Sequence, residues 1–443
     1  MQVTRRRFLQ RTALAGAALS ALPLWGKDAE GRYSTALIGC GWWGKNILGE
    51  AMASPGSRVV ALCDVDQRYL DGASEIVQKQ TGRVPRTYTD YRELIAKEKP
   101  EIVIVATPDH WHALITIEAV KNGCHVYVEK PISHCIAEGQ AMVRAARKYG
   151  RVVQVGTHRR VSPHNISGMK FLRSGKAGKI GMVRCFVNYG GATGMEKARK
   201  NEDPPKELDW DKWCGPAPRR PFNTKIHPRG FRQFLDYANG TIGDWGIHWF
   251  DQLLWWSEEK WPRRVFSTGG RPILGPAVNL PDWQTTDAPD SQVATFEFES
   301  FTATWEHRRF GGNNAEKGEA VGCYFYGTQG TFHMGWQGGW TFYPVKKGDP
   351  VLHEDPQLHT PDSQNIKELW ADFIAAINSK RLPVCDIEIG QQATNMSLLA
   401  MISYRTGRSL QWDGRKGVIV DDDYANLLLR DDYQGGYIFP DVV

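Results

Sequence analysis

The sequence lacks the features that support a metal centre, a disulfide framework or a nucleic-acid surface. Its eight cysteines are scattered and no two form a C-x-x-C pair, so we predict free cysteines and no metal site. Charge of one sign is scarce as well. The net charge is +6, but five positive residues fall within residues 1–27, which contain no acidic residue, and subtracting them leaves +1. So small a charge provides no attraction for nucleic acid or a membrane surface.

The start of the sequence lacks an apolar run long enough to predict a membrane span. The uncharged run from Ala13 to Leu24 would rise about 18 Å as a helix, against a hydrocarbon core of about 30 Å. It follows Arg5 and Arg6, which lie in the twin-arginine export pattern. We therefore predict that residues 1–30 are a leader, that the folded protein is exported to the periplasm, and that the mature chain has no stable span. Anchoring by the leader and a disordered basic tail are the alternatives.

Between residues 33 and 157, short apolar runs alternate with amphipathic segments of helical length. Runs such as TALIGC and EIVIVATP are almost continuously apolar, which is typical of strands in a parallel sheet covered on both faces. Gly82, Gly123 and Gly150 end the helical segments between them. This pattern predicts a doubly wound nucleotide-binding domain of the α/β class.

The first turn of this domain carries a glycine-rich pattern. Gly39, Gly41 and Gly44 form G-x-G-x-x-G between a predicted strand and a predicted helix, where absent side chains let the backbone approach a pyrophosphate at the helix N-terminus. Asp64 ends the second strand, twenty residues after Gly44. A carboxylate there accepts hydrogen bonds from the ribose hydroxyls of NAD and repels the 2′-phosphate of NADP. We predict a dinucleotide site that favours NAD, and Arg68 leaves NADP open.

After residue 157 apolar and polar residues alternate. Segments such as RVFSTGGRPI and SQVATFEFESFTATWEHRR are rich in threonine and aromatic residues, which is typical of an antiparallel sheet with one open face. Amphipathic helices are predicted at 365–379 and 387–407, and the tail DDYQGGYIFP predicts an extended arm that embraces a neighbouring subunit. The second domain, residues 158–443, is therefore predicted to be α+β, built on an open, largely antiparallel sheet.

Two further motifs place proton-transferring groups near the predicted cofactor. Lys130 follows a predicted parallel strand in VEKP, and ligands bind at the carboxyl edge of such sheets. Asp244 and His248 are four residues apart in GDWGIHWFD, which puts them on one helical face. An imidazole held by a carboxylate is a suitable general base near neutral pH. The alternatives are that Lys130 pairs with Glu129, and that Asp244 caps the helix while His248 packs in the core.

Polar and aromatic residues precede this helix in KIHPRGFRQFLDYANG. Such a cluster suits a polyhydroxylated ligand. Arg159 and Arg160, which follow QVGTH, lie where the chain enters the second domain, and one of them could contact the substrate. Loop packing and ion-paired arginines are the alternatives. The predicted substrate-binding residues are Arg159, His227, Arg232, Tyr237, Asp244 and His248.

Together these motifs resemble the glucose–fructose oxidoreductase/inositol dehydrogenase (Gfo/Idh/MocA) family. The matching pieces, from about residue 33 to 440, are GCGWWG, ATPDHWH, VEKP, GTIGDWGIHWFD and the tail that begins at RLPVCD. The segments WCGPAPRRPFN and DWGIHWFD are similar to an exported subgroup that carries twin-arginine leaders. The resemblance implies a Rossmann domain, an open sheet whose other face forms the interface of a homo-oligomer (dimer or tetramer), and a sugar-like substrate at the nicotinamide.

The resemblance also implies contacts to the cofactor beyond the glycine loop and Asp64. His110 and His112 follow the end of the strand in ATPDHWH, and the resemblance implies that they border the cofactor. The alternative is that both are structural histidines. The further residues implied to contact the cofactor are Trp42, Trp43, Thr107, Pro108, His112, Glu129 and Lys130.

These features predict an NAD(P)-dependent oxidoreductase that transfers a hydride at a CH–OH group of a sugar, glycoside or cyclic polyol. Lys130, Asp244 and His248 are its predicted catalytic residues. Free NAD is scarce outside the cytoplasm, so an exported enzyme would need a tightly bound cofactor that each turnover regenerates. One alternative is a redox-neutral glycosidase that oxidises, eliminates, hydrates and reduces. Another is a cofactor-bearing protein that binds carbohydrate without turnover, which would have no need of a proton relay.

Overall fold

The apolar segments of the first domain form a parallel sheet in the computed structural model, which describes residues 30–189, 197–359 and 364–440. Residues 1–29 of the predicted leader lie outside this part of the chain. The strands are β1 (Tyr33–Ile38), β2 (Ser57–Cys63), β3 (Arg86–Tyr88), β4 (Ile102–Val105), β5 (His125–Val128) and β6 (Val153–Val155). They pair in the order β3-β2-β1-β4-β5-β6, all parallel. The order reverses between β1 and β4, which opens a crevice at their carboxyl ends.

Helices cover both faces of this sheet, so the predicted doubly wound domain is confirmed. Alternate strand residues face opposite layers: Val103 and Val105 lie in one apolar core, Ile102 and Ile104 in the other. Asp66 caps the second helix by accepting the backbone N–H of Arg68. The helices are α1 (Trp42–Ala53), α2 (Gln67–Thr81), α3 (Tyr91–Glu98), α4 (His112–Lys121) and α5 (Ile136–Lys148).

The polar stretch around β3 and α3 carries no strand or helix prediction. Strand β3 has only three residues at the edge of the sheet and none of them is buried. Because an edge strand of this kind buries no apolar run, it lacks the pattern by which strands are recognised.

The second domain is built on a ten-stranded sheet, and several of its helices pack on one face of that sheet. Its helices are α6 (Pro163–Arg173), α7 (Trp210–Cys214), α8 (Gly240–Ser257), α9 (Ile366–Ser379), α10 (Ile387–Thr406) and α11 (Asp423–Leu427). The strands are β7 (Ile180–Asn188), β8 (Arg199–Lys200), β9 (Arg264–Gly270), β10 (Trp283–Gln284), β11 (Ser291–Glu297), β12 (Thr302–Arg308), β13 (Val321–Gly327), β14 (Gly330–Gly335), β15 (Trp340–Pro344), β16 (Leu352–Glu354), β17 (Leu410–Asp413) and β18 (Val418–Ile419).

The main sheet of this domain is mixed rather than wholly antiparallel. Its order is β16-β15-β14-β13-β7-β12-β11-β9-β17-β18, and every pairing is antiparallel except that of β7 with β12. The exception arises because α8 crosses the sheet between β7 and β9, so that these two strands run in the same direction. Two antiparallel steps from β9 then bring β12 back parallel to β7. The predicted open, largely antiparallel sheet is confirmed.

One face of this sheet packs against α8 and α10, and the other is open. Along β11, residues alternate between buried and exposed. Phe250 of α8 packs on Phe296 and Trp305 of the sheet, with ring centroids 5.1 and 5.4 Å apart. The opposite face exposes apolar side chains such as Phe266 and Val293. Within the described ranges, no helix is both long and apolar enough to cross a membrane.

Helix α9 belongs by sequence to the predicted second domain but packs on the first. Trp370 and Phe373 lie against Tyr127 of β5, with ring centroids 5.9 and 6.4 Å apart, inside the core that covers one face of the Rossmann sheet. The chain therefore crosses back to its first domain before α10 returns to the second.

The C-terminal arm, residues 428–440, folds back on the first domain of its own chain. Oδ2 of Asp431 lies 2.6 Å from Nδ1 of His134, and the hydroxyl of Tyr433 donates to Oε1 of Glu138 at 2.6 Å. These contacts hold the arm within one chain, and its contact with a neighbouring subunit stays a prediction.

Cys135, Glu138 and Asp431 bring metal-ligand atom types within 4.8 Å of one another beneath the arm. Oε2 of Glu138 already accepts the backbone N–H groups of His134 and Cys135, at 2.7 and 3.2 Å. The cluster thus anchors the arm, and the absence of a metal site stays a prediction. All eight cysteines are buried free thiols, as predicted.

Candidate active site

The three glycines of G-x-G-x-x-G serve two different purposes. A Cβ on Gly39, whose φ is +95°, would lie 2.6 Å from the backbone of Ala106, and a Cβ on Gly44 would lie 2.0 Å from the carbonyl oxygen of Gly39. Both positions therefore need glycine for the close approach of β1, β4 and α1. A Cβ on Gly41 would meet no atom within 4 Å, and Gly41 is the N-cap of α1. The open space there suits a phosphate at the helix N-terminus.

Asp64 lies at the carboxyl end of β2, beside this loop. Its carboxylate accepts the backbone N–H groups of Cys40 and Asp66, at 2.6 and 2.9 Å. Burial raises the pKa of Asp64 to about 6, although these two hydrogen bonds lower it. Arg68 donates to Asp66 through Nε and Nη2, at 2.9 and 2.6 Å. This pairing holds the guanidinium that would have to bind a 2′-phosphate, which favours NAD.

A cavity of about 380 Å³ runs from Asp64 to the carboxyl end of β4. Trp42 is 45% exposed at its rim, and Trp43 lies next to it with ring centroids 5.3 Å apart. Tyr437 of the C-terminal arm also lines the cavity. Its lining includes the predicted cofactor residues Gly39, Gly41, Trp42, Trp43, Asp64, Thr107 and Pro108.

Residues 225–233, here called the strap, cross the same cavity from the second domain. The strap lines the cavity from His227 to Arg232 and touches the first domain or α8 at three points. Its contacts are Nε2 of His227 with Oδ2 of Asp66 (3.1 Å), the Arg229 guanidinium over the ring of Trp42 (4.7 Å) and Nε of Arg232 with Oδ1 of Asp244 (3.3 Å).

Lys130 and Asp244 meet where the two domains join. Nζ of Lys130 donates to Oδ1 of Asp244 at 2.7 Å and to its backbone carbonyl at 2.9 Å. The two side chains are 17% and 19% exposed, so a ligand can still reach them. Burial opposes ionisation of Asp244, but the charges of Lys130 and Arg232 outweigh it and lower its pKa to about 2. A charged network of three residues therefore adjoins the cavity, which it meets through the lining residue Arg232.

His248 is not held by Asp244, contrary to the sequence-based expectation. The Asp244 carboxylate turns to Lys130 and Arg232 instead, because cations compete for it better than a neutral imidazole does. His248 is buried and its Nδ1 has no hydrogen-bond partner among the described residues. Burial, followed by the charge of Lys130, lowers its pKa well below the usual value, so the imidazole is neutral near pH 7.

Three predicted substrate residues occupy other places. His227 binds Asp66 at the opposite end of the cavity. Tyr237 is fully buried, with its hydroxyl donating to the carbonyl of Pro218 at 3.1 Å. Arg159 is buried between aromatic rings of the second domain. Of the polar residues before α8, the structure brings only Arg232 to Asp244, since turns in the strap send its neighbours in different directions.

Two predicted cofactor residues shape the loop around Lys130. Nδ1 and Nε2 of His112 lie 2.7 and 2.8 Å from the carbonyl oxygens of Pro131 and Thr107, so His112 ties the ends of β4 and β5 together. Oε2 of Glu129 accepts the backbone N–H of Lys130 at 3.1 Å. Glu129 is buried, and burial raises its pKa.

Sequence reasoning missed Asp109 and Tyr189. Asp109 is buried just after Pro108; burial and the Asp244 charge raise its pKa to about 7, although Arg232 and Lys130 lower it. Tyr189 follows β7, and burial together with the Asp244 charge raises its pKa. The position of Asp109 in ATPDHWH, at a strand's carboxyl end, was the available signal. Tyr189 carried none, because its neighbours come from another element.

Comparison with known proteins agrees with the two-domain fold. Two family models match the chain in order: "Oxidoreductase family, NAD-binding Rossmann fold" at residues 33–157 and "Oxidoreductase family, C-terminal alpha/beta domain" at residues 182–265. A glycosyl hydrolase family 109 protein of Akkermansia muciniphila is 31% identical over 111 residues, which are 24% of this chain and 23% of the relative. An inositol 2-dehydrogenase of Rubrobacter xylanophilus is 34% identical over 125 residues, 28% of this chain and 34% of the relative.

The matched segments thus span about a quarter to a third of these relatives. A solved structure matches almost throughout: levoglucosan dehydrogenase, in complex with NADH and levoglucosan, superposes with a TM-score of 0.65 over 88% of this chain and 100% of that one, at 18% identity. At this identity the likeness concerns the fold. With both domain models matched in sequence order, the chain belongs to the Gfo/Idh/MocA oxidoreductase family.

Proposed function

We propose that the protein is an NAD-dependent oxidoreductase that moves a hydride at a CH–OH group of a sugar or polyol. The observation that carries this proposal is the contact of Lys130 Nζ with Asp244 Oδ1 at 2.7 Å, at the carboxyl edge of the Rossmann sheet. The names of the inositol dehydrogenase and the levoglucosan dehydrogenase support the same substrate class.

The residues of the cavity fit a dinucleotide. The unfilled space above Gly41 would receive the pyrophosphate, and Asp64 would accept hydrogen bonds from the adenosine ribose. Thr107 and Pro108 line the far end, where the nicotinamide would lie. When bound, the nicotinamide supplies a hydride acceptor and donor, which amino-acid side chains lack.

Lys130 is suited to handle the proton that accompanies hydride transfer. Its ammonium is already held by Asp244 and its backbone carbonyl, so a substrate hydroxyl would take a place beside an oriented nitrogen. Asp244 keeps its negative charge because of Lys130 and Arg232. This fixed charge would stabilise the ammonium of Lys130, which would give its proton to a substrate carbonyl oxygen in the reducing direction and form again by taking the hydroxyl proton in the oxidising direction. His248, neutral and with a free Nδ1, would exchange a hydrogen bond with a substrate hydroxyl.

We further propose that the cofactor stays bound between turnovers. The strap crosses the cavity from end to end, and Tyr437 of the C-terminal arm lines it as well, so that release would require contacts of the second domain to open. Retention agrees with the proposal that the twin-arginine leader exports the folded protein to the periplasm, where free NAD is scarce. Binding of nanomolar strength or tighter is needed, about −12 kcal/mol.

The experiment that tests the proposal is turnover without added cofactor. Protein purified from the periplasm is dialysed exhaustively, its nicotinamide content and redox state are measured by absorbance and mass spectrometry, and pairs of reduced and oxidised sugars are supplied. We expect repeated turnovers and about one nicotinamide per chain. Loss of all activity on dialysis, restored only by stoichiometric NAD, would contradict retention. Absence of both nicotinamide binding and turnover would contradict the oxidoreductase itself.

The second candidate function is redox-neutral cleavage of a glycoside. The likeness to a glycosyl hydrolase family 109 protein favours it, and a cycle of oxidation, elimination, hydration and reduction also returns the cofactor to its starting state. Release of free sugar from a glycoside by the dialysed protein distinguishes this reaction from exchange between two sugars.

A homo-oligomeric assembly through the open sheet face is a further proposal, and sedimentation velocity tests it.

A further inference from the structure

A cluster of partly buried aromatic rings lies beside the Lys130–Asp244 pair. Trp245 follows Asp244 on α8, and its ring centroid is 5.1 Å from that of Tyr189 and 5.0 Å from that of Trp336. None of the three rings is fully covered, whereas most of the large side chains around them are. Trp336 also contacts His248, with centroids 5.0 Å apart. The exposed aromatic surface therefore adjoins the candidate catalytic groups.

Polar atoms without partners lie beside these rings. Nδ1 of His248 and both ring nitrogens of His158 are buried and have no hydrogen-bond partner among the described residues. The His158 ring lies 5.5 Å from Trp336 and 5.8 Å from His248. Buried polar groups of this kind are satisfied by a ligand or water. A ligand with hydroxyl groups around an apolar C–H face matches both the rings and the nitrogens.

Trp336 lies on the tight turn between β14 and β15, so the contacts of that turn help to fix its position. The carboxylate of Glu319 accepts three successive backbone N–H groups of that turn, from Trp336, Gln337 and Gly338. A Cβ on Gly335 would lie 2.0 Å from Oε2 of Glu319, and one on Gly338 would lie 2.9 Å from Oε1. The turn is thus wrapped around one carboxylate.

Arg159 holds the same turn from the other side. Its guanidinium lies 4.1 Å from the ring centroid of Trp336 and 4.6 Å from that of Trp249. It donates to the carbonyl oxygens of Gly335 and Trp336 at 3.2 and 3.3 Å. Burial lowers the pKa of Arg159 to about 10, so it remains charged at neutral pH. Enclosed in this way, Arg159 is a positioning residue and not the substrate ligand that the sequence suggested.

We propose that Trp336, with Trp245, forms the wall on which the C–H face of a pyranose or cyclitol ring stacks, and that Glu319 and Arg159 position Trp336 for this contact. This inference rests on the proposed function, since it assigns a surface to the same substrate. The indole face carries negative charge density and attracts the C–H groups of a ring. Stacking at this wall would place ring hydroxyls beside His248 and His158, whose free nitrogens would bind them.

The wall is tested by steady-state kinetics with the sugar that the wild-type protein turns over fastest. Trp336→Ala should raise KM about 10- to 100-fold, the range for truncating an aromatic anchor, with kcat and bound nicotinamide within about threefold of wild type. Trp336→Phe should recover most of the affinity. The matched control is Glu306→Gln, a carboxylate of the same sheet that pairs with Arg184, which should leave KM unchanged.

A double-mutant cycle tests the positioning role. Glu319→Gln should raise KM about 10-fold in the wild-type background and have no effect in the Trp336→Ala background, because residues that act through one group are non-additive. Arg159→Lys, which keeps the charge and loses the planar stack, should act in the same way and serves if Glu319→Gln fails to fold. Additive effects, or an unchanged KM in Trp336→Ala, would overturn the inference and leave the oxidoreductase proposal standing.

Calorimetric titration makes the test independent of turnover. D-glucose, methyl β-D-glucopyranoside and myo-inositol are titrated into wild-type protein and into Trp336→Ala, both with nicotinamide bound. Weaker binding of at least one probe to the variant supports the wall. Equal binding to both proteins, or no binding to either, would contradict it, whereas a missing nicotinamide would contradict the proposed function instead.

Discussion

One aspartate holds the strap beside each end of the cofactor cavity, through the lining residues His227 and Arg232, and the two aspartates are used differently. Asp66 belongs to the first domain and is bound by Arg68 and by His227 of the strap. Asp244 belongs to the second domain and is bound by Lys130 and by Arg232 of the strap. Both carboxylates therefore link the strap to the rest of the protein.

The partners of each aspartate decide what each end can do. Arg68 keeps its proton at any working pH, so the Asp66 end can hold the strap and the cofactor but cannot exchange protons through that arginine. Lys130 has an ammonium that can take part in proton transfer, and Asp244 stabilises it. On the proposed function, one end would serve binding and the other chemistry, and substitutions test this division.

The largest effect is expected from removing the transferable proton. Lys130→Met should lower turnover about 10²- to 10⁴-fold, the range for losing a positioned proton-transfer group, and leave the nicotinamide content unchanged. Rates are measured under single-turnover conditions, and Lys170→Met, an exposed lysine on α6, is the control. An unaltered rate in Lys130→Met would remove it from the mechanism.

Exchanging each aspartate for asparagine separates the two ends. Asp244→Asn should lower turnover about 10²-fold because it leaves Lys130 without its charged partner, while cofactor content stays the same. Asp66→Asn should do the opposite: faster loss of nicotinamide on dialysis, with turnover per loaded chain within about threefold of wild type. If both variants lose turnover with full cofactor content, the division between the ends is wrong.

A smaller effect, on the affinity for NAD, is expected from replacing Asp64, which would bind the adenosine ribose. Asp64→Ala should weaken NAD binding by roughly 1–3 kcal/mol, the penalty for leaving hydroxyl groups without a charged acceptor. It should also reduce the preference of the protein for NAD over NADP. Competition between the two cofactors for stripped protein measures both quantities. Tighter binding of NADP by the wild type would contradict the assignment and point to release of Arg68 from Asp66.

The smallest expected effect is the pH dependence of cofactor binding. Because burial raises the pKa of Asp64 to about 6, the carboxylate is charged above that pH and takes up a proton as the pH falls through it. The protonated acid is a weaker acceptor for ribose hydroxyls, so the dissociation constant of NAD should rise about tenfold between pH 7 and pH 5. Asp64→Asn should show a flat profile, and an equally steep profile in that variant would assign the effect to another group.

The binding end was predictable from sequence because its parts are local. A strand, a glycine turn and a helix follow one another directly in GCGWWG, and Gly39 and Gly44 are fixed by close approach within that unit. The apolar strands and the period-two pattern likewise identified both sheets. Each depends on neighbours in sequence and on burial of one face or both, which a linear pattern records.

The chemical end depended on contacts that the sequence order does not contain. Spacing correctly put Asp244 and His248 on one helix, yet it suggested a pair, whereas Lys130, 114 residues away, outcompetes the imidazole. The same holds for Arg159, which the wrapped turn at Trp336 encloses, and for His227, which the strap carries to Asp66. The sequence by itself determined which residues are chemically capable and which elements they occupy. Only the tertiary structure decided their partners, because a carboxylate binds whichever cation the packing of distant elements brings within about 3 Å.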